Sequence, residues 1–314
     1  MFILGAGLAG CIAGIINPSA IVIEASTEFK RPQHRAVLRF RSNEIGKAVG
    51  IPFKQVTVRK GIWTGSNFVR PDIRFANQYS AKCNGKILDR SIWNLDTAVR
   101  YVAPDDLHLR LIEKLGVRIW WGTKVGYIDD SFIHAGASRF DRSINAIVST
   151  LPMHILASIT NHELSFDSSF QHKKIIVHRF HVPDCAVYQT IYYPEPDLPV
   201  YRATLTGEDL IVESVDDIDP DGIEIGEVCY SFGMKRNQMQ FLERQDQKYG
   251  KIAPVDERVR RQFILDMTMR LRIYSLGRFG TWRNILLDDV YDDIAAIERL
   301  INSDGYFAKL YDAR

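Results

Sequence analysis

The sequence predicts an α/β protein: a β-α-β unit with a parallel sheet that carries an inserted α+β domain with an antiparallel sheet. Three observations predict it. Residues Met1 to Ser26, MFILGAGLAGCIAGIINPSAIVIEAS, read strand, glycine turn, helix, strand. The stretch 165–262 changes to runs in which apolar and polar residues alternate, the period of half-buried antiparallel strands. The chain then returns to glycine at Gly277 and Gly280, just ahead of an amphipathic helical pattern.

Within the first unit, Phe2-Ile3-Leu4 is a short apolar run suited to a buried parallel strand. Gly5-Ala6-Gly7-Leu8-Ala9-Gly10 follows with the G-x-G-x-x-G spacing. Gly5 allows the turn out of the strand, Gly7 lets a pyrophosphate approach the backbone, and Gly10 lets the helix pack closely on the sheet. The helix start at Leu8 and Ala9 offers unpaired N–H groups and a positive dipole end to phosphates. Ala20 to Ile23 reads as the second strand and ends at Glu24, followed by Ala25. A carboxylate there accepts hydrogen bonds from ribose hydroxyls. The interval from Gly10 to Glu24 is short for this motif, so the first helix is expected to lack a turn. No Arg or Lys follows Glu24 directly, which argues against a 2′-phosphate and so against NADP.

A length of 314 residues bounds the chain at about two domains. Hydrophobic content of 46% and charged content of 25% are those of an ordinary globular protein, with a core large enough to need no staples. A net charge of +2 gives no global case for nucleic-acid or membrane binding. Cys11, Cys83, Cys185 and Cys229 are scattered, with no C-x-x-C pair and no metal-ligand spacing, so no metal is expected. Cys11 reads as a small packing residue of the first helix. A reduced, cytoplasmic setting is the expectation. With a strand that begins at Met1, no signal peptide is expected, and no apolar run has the length of a membrane span.

In chain order, residues 27–60 are basic, with Arg31, His34, Arg35, Arg39, Arg41, Lys54, Arg59 and Lys60. They read either as a cationic loop for an anionic group or as a solvated basic face. His34 to Arg41 alternates in part like a strand. Trp63, Phe68, Phe75, Tyr79 and Trp93 line a pocket or fill a core, and Cys83-Asn84-Gly85-Lys86 reads as a hairpin turn. Asp96 to Leu115 is expected to be helical, followed by strand, turn and strand over Gly116 to Val125, a short strand pair around 127–129 and 132–134, and an apolar strand over 144–150. Ile175 to Val182, Ala186 to Tyr193 and Val200 to Leu205 read as antiparallel strands, with a proline turn at Pro194 to Pro199. Asp209 to Glu227 is acidic, expected as a surface loop with a short strand. Val255 to Arg272 is a helix candidate. A final helix is expected from Asp288, whose face holds Leu287, Val290, Tyr291, Ile294, Ile297, Leu300 and Ile301.

Four of these segments resemble the FAD-dependent superfamily that contains UDP-galactopyranose mutase, amine oxidases and protoporphyrinogen oxidase. They are GAGLAG with Glu24; GVRIWWGTKVGYID, in which Val125 matches the valine on the adenine side; INAIVSTLPM, which closes the cofactor unit at Thr150; and GRFGTWRNILLDDVYDDI, which brings Gly277, Arg278, Gly280 and Asp288 together. YPEPDLPVYRATL is similar to the mutase stretch that brings an arginine to the flavin, here Arg202. The resemblance implies FAD as cofactor and a discontinuous architecture. Residues 1–45, 96–155 and 265–314 would form the FAD unit; residues 46–95 and 156–264 would form the substrate domain. It implies cofactor contacts at Gly5, Gly7, Leu8, Ala9, Gly10, Glu24, Ala25, Arg39, Val125, Thr150, Gly277, Arg278, Gly280, Asp288 and Asp289, and catalytic roles for Arg202 and Tyr201. Three departures stand out. The second glycine pair after the ribose acid is missing, Trp282 and Asn284 replace mutase tyrosines, and the chain is short for a mutase.

No nucleophile–base motif is present, so a flavin would carry the chemistry. The leading expectation is an oxidoreductase or lyase acting at a C–N bond of an amine or amino-acid adduct. Its most specific form is an adduct on a modified nucleobase of phage DNA, with DNA as an open partner. One alternative is a mutase-like isomerase of sugar nucleotides; another is a protein that keeps FAD without catalysis.

Overall fold

A computed structural model describes residues 1–29, 38–87, 92–142, 145–163 and 170–312, and side chains as far as residue 303. The basic residues Arg31, His34 and Arg35 lie outside the described residues. The first third of the chain holds β1 (Phe2–Leu4), α1 (Leu8–Ile16), β2 (Ile21–Ile23), β3 (Arg39–Phe40), α2 (Glu44–Val49), β4 (Lys54–Trp63), β5 (Phe68–Val69), α3 (Ile73–Asn84) and β6 (Ala98–Val102). The middle holds α4 (Leu107–Leu115), β7 (Ile119–Trp120), β8 (Val125–Ile128), β9 (Phe132–Ala135), β10 (Ser138–Asp141), β11 (Ile147–Ser149), α5 (Met153–Ile159), β12 (His172–His181) and β13 (Tyr188–Tyr192). The last third holds β14 (Val200–Thr206), β15 (Asp209–Ser214), α6 (Ile223–Ser231), β16 (Gln240–Ile252), α7 (Glu257–Leu271), β17 (Ile273–Ser275), α8 (Gly277–Gly280) and α9 (Leu287–Asp312).

A five-stranded sheet has the order β17-β11-β1-β2-β7, and every pairing in it is parallel. Its strands are short and apolar apart from the serines that end β11 and β17 and Tyr274, because both faces are covered. Ile3, Val22 and Val148 pack with α1, α4 and α9, through Ile12, Leu111 and Ile294. Phe2, Leu4, Ile147 and Ile273 pack on the opposite face with Leu156 of α5 and Phe263 and Met267 of α7. Helix α1 is only 9 residues long, as the short glycine-to-acid interval predicts. Asn17-Pro18 stops it, because proline cannot continue the hydrogen-bond ladder. Arg118 Nη1 donates to the carbonyls of Gly14, Asn17 and Pro18 at 2.6, 3.2 and 3.2 Å, satisfying that helix end.

The second sheet is nine-stranded, in the order β16-β12-β15-β14-β13-β4-β6-β3 with β5 beside β4. All its pairings are antiparallel except β13 with β4, where a strand from residues 54–63 joins the later meander. Directly opposed residues share a face of a sheet. The registers Lys60↔Thr190↔Thr204 and Ile62↔Tyr192↔Arg202↔Glu213 therefore define one face, which Arg100 (opposite Val56) and Arg39 (opposite Val102, itself opposite Lys54) extend. We call it the inner face. Helix α3 covers part of it, packing Tyr79 and Cys83 on Ile62, Val177, Tyr201 and Ile211. The outer face buries Trp63, Phe180, Ile191, Leu205 and Val212 against Ile225 and Val228 of α6. The sheet curls strongly, since Arg39 on its β3 edge reaches the Leu205 carbonyl of β14 across the intervening strands.

Three local expectations change. Asp96–Leu115 is not one helix: residues 98–102 pair with β3 and β4, and Pro104 separates that strand from α4. Asn84-Gly85 does not turn a hairpin. Gly85, at φ 73°, ends helix α3 by donating to Ala81 O, because left-handed glycine serves helix ends and hairpins alike. The acidic stretch 209–227 contains a six-residue strand and the start of α6, rather than a loop with a short strand.

His178 is wholly buried in β12. Burial, and then the charge of Arg244, push its pKa below the ordinary histidine value. A base depressed on folding supports stability above its unfolded pKa of about 6.5 and withdraws it as pH falls through the window toward its folded value. Urea melts at pH 7.5 and 5.5 are expected to show a stability loss at the lower pH that is shallower in His178→Phe. An unchanged slope would remove His178 from that account.

Candidate cofactor and substrate site

The parallel strands β1, β2, β11 and β17 end at Leu4, Ile23, Ser149 and Ser275, and the candidate site is built on the turns that leave them. Gly5 has φ 97°, and a Cβ there would lie 2.6 Å from Thr150 Oγ1. That hydroxyl donates to Leu4 O at 2.8 Å, so Thr150 braces the turn. A Cβ on Gly10 would lie 2.0 Å from Gly5 O, whereas one on Gly7 would meet nothing within 4 Å. The three glycines thus meet three separate needs: a left-handed turn, close helix contact and open approach. That combination fits a dinucleotide pyrophosphate. Leu8 and Ala9 form the first turn of α1, whose N-cap Gly7 supplies no side chain to its N–H groups. Cys11 packs beneath; burial, and then the charge of Glu24, push its thiol up to about 12, which keeps it inert.

Glu24 is fixed against this turn. Its Oε2 accepts from Ala6 N at 2.8 Å and its Oε1 from Ser26 N at 2.9 Å. Ala25 beside it is exposed. The segment that leads to Val125 runs alongside, with Gly122 N donating to Ser26 O at 2.7 Å and Thr123 N to Glu24 O at 2.8 Å. Val125 itself is half-buried at the start of β8. One participant escapes sequence reading. His108 donates from Nε2 to Ala6 O at 2.8 Å, and burial lowers its pKa, so the neutral ring supports the turn. Its only signal was a position next to Leu107, Leu111 and Leu115 on the buried stripe of α4.

The second glycine turn meets the first. Gly277 has φ 82°, and its Cβ would stand 3.2 Å from Ala9 Cβ. A Cβ on Gly280 would stand 2.8 Å from Ser149 O. Arg278 Nη2 donates to Gly250 O of β16 at 3.1 Å, which ties this turn to the second sheet. Asp288 and Asp289 are engaged within the chain. Asp288 accepts from Arg41 N at 2.9 Å and Ser42 N at 3.3 Å, and Asp289 accepts from Leu286 N at 2.8 Å and pairs with Arg41. They fasten the start of α9 to the exit of β3.

Arg39 is engaged on the second sheet. It crosses the inner face and donates to Thr190 Oγ1 at 3.0 Å, to Leu205 O and to Thr206 Oγ1. Tyr201 is wholly buried and gives its hydroxyl to Glu213 Oε1 at 2.9 Å. Glu213 also takes a two-pronged bond from Arg202, through Nη2 to Oε1 at 2.6 Å and through Nε to Oε2. Tyr201 meets Arg202 both through Glu213 and through its ring, whose centroid lies 5.8 Å from the guanidinium carbon, while the Arg202 side chain stays 33% exposed.

A cleft of about 570 Å³ opens beside the loop that follows the second glycine turn. Asn84, Ile87, Pro254, Val255, Trp282 and Asn284 contribute to its walls. Trp282 holds a left-handed backbone, φ 47°, fixed by its Nε1 donating to Ala253 O at 3.0 Å. Among the described residues no group of three or more His, Cys, Asp or Glu could hold a metal ion, and no helix is long and apolar enough to cross a membrane.

No family model and no curated protein matches the sequence. The fold is nonetheless shared with many solved structures. Reduced UDP-galactopyranose mutase aligns over 96% of this chain and 93% of its own, with a TM-score of 0.70 and 13% identity. A fatty acid isomerase from P. acnes aligns over 95% and 97%, with a TM-score of 0.62 and 13% identity. An FAD-containing monooxygenase from Photorhabdus luminescens aligns over 97% and 88%, with a TM-score of 0.53 and 10% identity. At such identities the likeness is one of fold.

Proposed function

We propose that this chain is an FAD-dependent enzyme of oxidoreductase type. The observation that carries the reading is the meeting of two glycine turns at the C-terminal edge of a parallel sheet, with an acid at the end of β2. Gly5, Gly7, Gly10 and Glu24 would hold the adenosine diphosphate half, and Gly277, Arg278 and Gly280 the flavin-bearing half. Bound FAD supplies two-electron exchange that protein side chains cannot. The chain's own part is to position: Arg278 links the second turn to β16, and the cleft beside Trp282 and Asn284 has the volume of a small-molecule site.

Among C–N substrates, amino-acid adducts suit the protein best. Their carboxylate suits an inner face that bears Arg39, Arg100 and Arg202, whereas a simple cationic amine would be repelled there. An adduct on a modified base of phage DNA is the narrowest version, and salt-dependent DNA affinity tests it. The likeness to the mutase in fold keeps an isomerase as second reading.

The test is the visible absorbance of the purified, FAD-supplemented protein. An oxidised-flavin spectrum is expected, bleached anaerobically by an amino-acid adduct. Turnover of UDP-galactofuranose only after dithionite would move the reading to the isomerase. Bound flavin that no donor bleaches would leave a non-catalytic carrier, and a colourless protein that takes up no FAD overturns the proposal.

A further inference from the structure

On the inner face of the second sheet, Arg39, Lys60, Arg100 and Arg202 share one side with the hydroxyl-bearing Tyr188, Thr190 and Tyr192. Buried or half-buried cations in proteins are normally matched by carboxylates. Here the match is incomplete among the described residues. Arg39 bonds only neutral acceptors, namely two threonine hydroxyls and the Leu205 carbonyl. Arg100 donates to Val99 O at 2.7 Å, and Lys60 reaches Asn94 O at 3.5 Å. Glu213 is already held by Arg202 and Tyr201, and Asp96 is the acid whose charge reaches Lys60. The electrostatics agree with the geometry. Burial, and then the neighbouring charge of Arg202, draw Arg39 down to about 10; burial, and then Arg100, lower Lys60.

We infer that this wall, centred on Arg39, Lys60 and Arg100 with Thr190, Tyr188 and Tyr192 between them, binds a doubly charged anionic group of the substrate, a phosphate or a pair of carboxylates. An anion there supplies the missing countercharge and finds the Lys60 ammonium, the Arg100 guanidinium and hydroxyl donors, with the Arg39 charge beside them. The inference rests on the flavoenzyme reading only in assigning the anion to substrate rather than cofactor. The cofactor glycines lie at the ends of the first sheet, while Arg39 points across the second.

The test is calorimetric titration of the FAD-loaded protein with inorganic pyrophosphate in one arm and glutarate in the other. It compares wild type, Lys60→Gln, Arg100→Gln and, as a remote control, Arg258→Gln on the exposed side of α7. Binding of one probe is expected, weakened about tenfold by each wall substitution, the scale of one charge-assisted hydrogen bond, and unchanged in Arg258→Gln. The preferred probe identifies phosphate or carboxylate as the group. Absence of binding, equal affinity in the wall variants, or binding to the FAD-free protein that disappears on FAD loading would each overturn the inference. If the protein takes up no FAD but binds a probe through Lys60 and Arg100, the anion site stands while the flavoenzyme reading fails. Circular dichroism of each variant confirms that a lost signal is not a lost fold.

Discussion

Gly10→Ala is expected to abolish FAD uptake and to cost the fold about 3 kcal/mol or more, because the new methyl would lie 2.0 Å from the Gly5 carbonyl oxygen. Real contacts at that position must open by more than an ångström, and neither partner is a flexible side-chain tip. The clash is backbone oxygen against a helix that Ile12, Cys11 and Ala13 lock into the core. Relief requires α1 to lift from β1, which also moves Ala9 from Gly277 and so parts the two turns. Gly7→Ala is the matched control. Its φ is −69°, ordinary for any residue, and its Cβ would meet nothing within 4 Å. That variant is expected to keep wild-type stability while losing FAD affinity, since its methyl fills the space the pyrophosphate needs. Urea midpoints and bound flavin per chain distinguish the two. If both variants take up flavin as wild type does, the glycine turn is only a structural turn.

The first unit was legible because several local signals agree there. The glycine spacing, the uninterrupted apolar strands and the terminal acid demand the same β-α-β geometry, and Asn17-Pro18 even marks where α1 stops. Strands β12, β13 and β14 were legible from alternation for the same reason, whereas β15 lay in an acidic stretch that read as a loop with a short strand. What stayed hidden depends on long-range pairing. Nothing local announces that 54–63 runs parallel to β13, or that Arg39 crosses the curled sheet to Leu205. Asn84-Gly85 was ambiguous because one left-handed residue ends a helix or turns a hairpin; the buried set Phe75, Ala76, Tyr79 and Cys83, at helical spacing, decides for the helix. At the site, residue types pointed to a cofactor, but their partners were unreadable. Glu24 grips Ala6 N, Asp288 grips Arg41 N, and Glu213, absent from any motif, organises Tyr201 and Arg202.

Glu213 is where the largest side-chain effect on the second sheet is expected. Burial by itself would raise its carboxyl, but the charge and hydrogen bonds of Arg202, then Lys251 and the Tyr201 hydroxyl, outweigh it and hold the pKa below the ordinary value. A carboxylate depressed on folding supports stability above its unfolded pKa and withdraws it as pH falls through the folded one, so the contribution is complete at neutral pH and disappears in acid. Glu213→Ala strands the Arg202 charge and the Tyr201 hydroxyl together, a change expected to cost ~3–5 kcal/mol. Much of that is the penalty for an unpaired, half-buried cation and an unsatisfied buried hydroxyl rather than the net worth of the pair. The double variant Glu213→Leu with Arg202→Met should therefore recover most of the loss, because apolar side chains of similar volume replace both charges at once. Urea denaturation of the two singles and the double at pH 7 measures the coupling. A single-variant cost below ~1 kcal/mol would show that the pair contributes no more than a surface ion pair, and equal instability of Glu213→Ala and the double variant would show that a stranded charge is not the source of the loss. If the double variant is stable but no longer binds the anion that wild type binds, Arg202 belongs to the recognition wall, and Glu213 is the residue that holds it there.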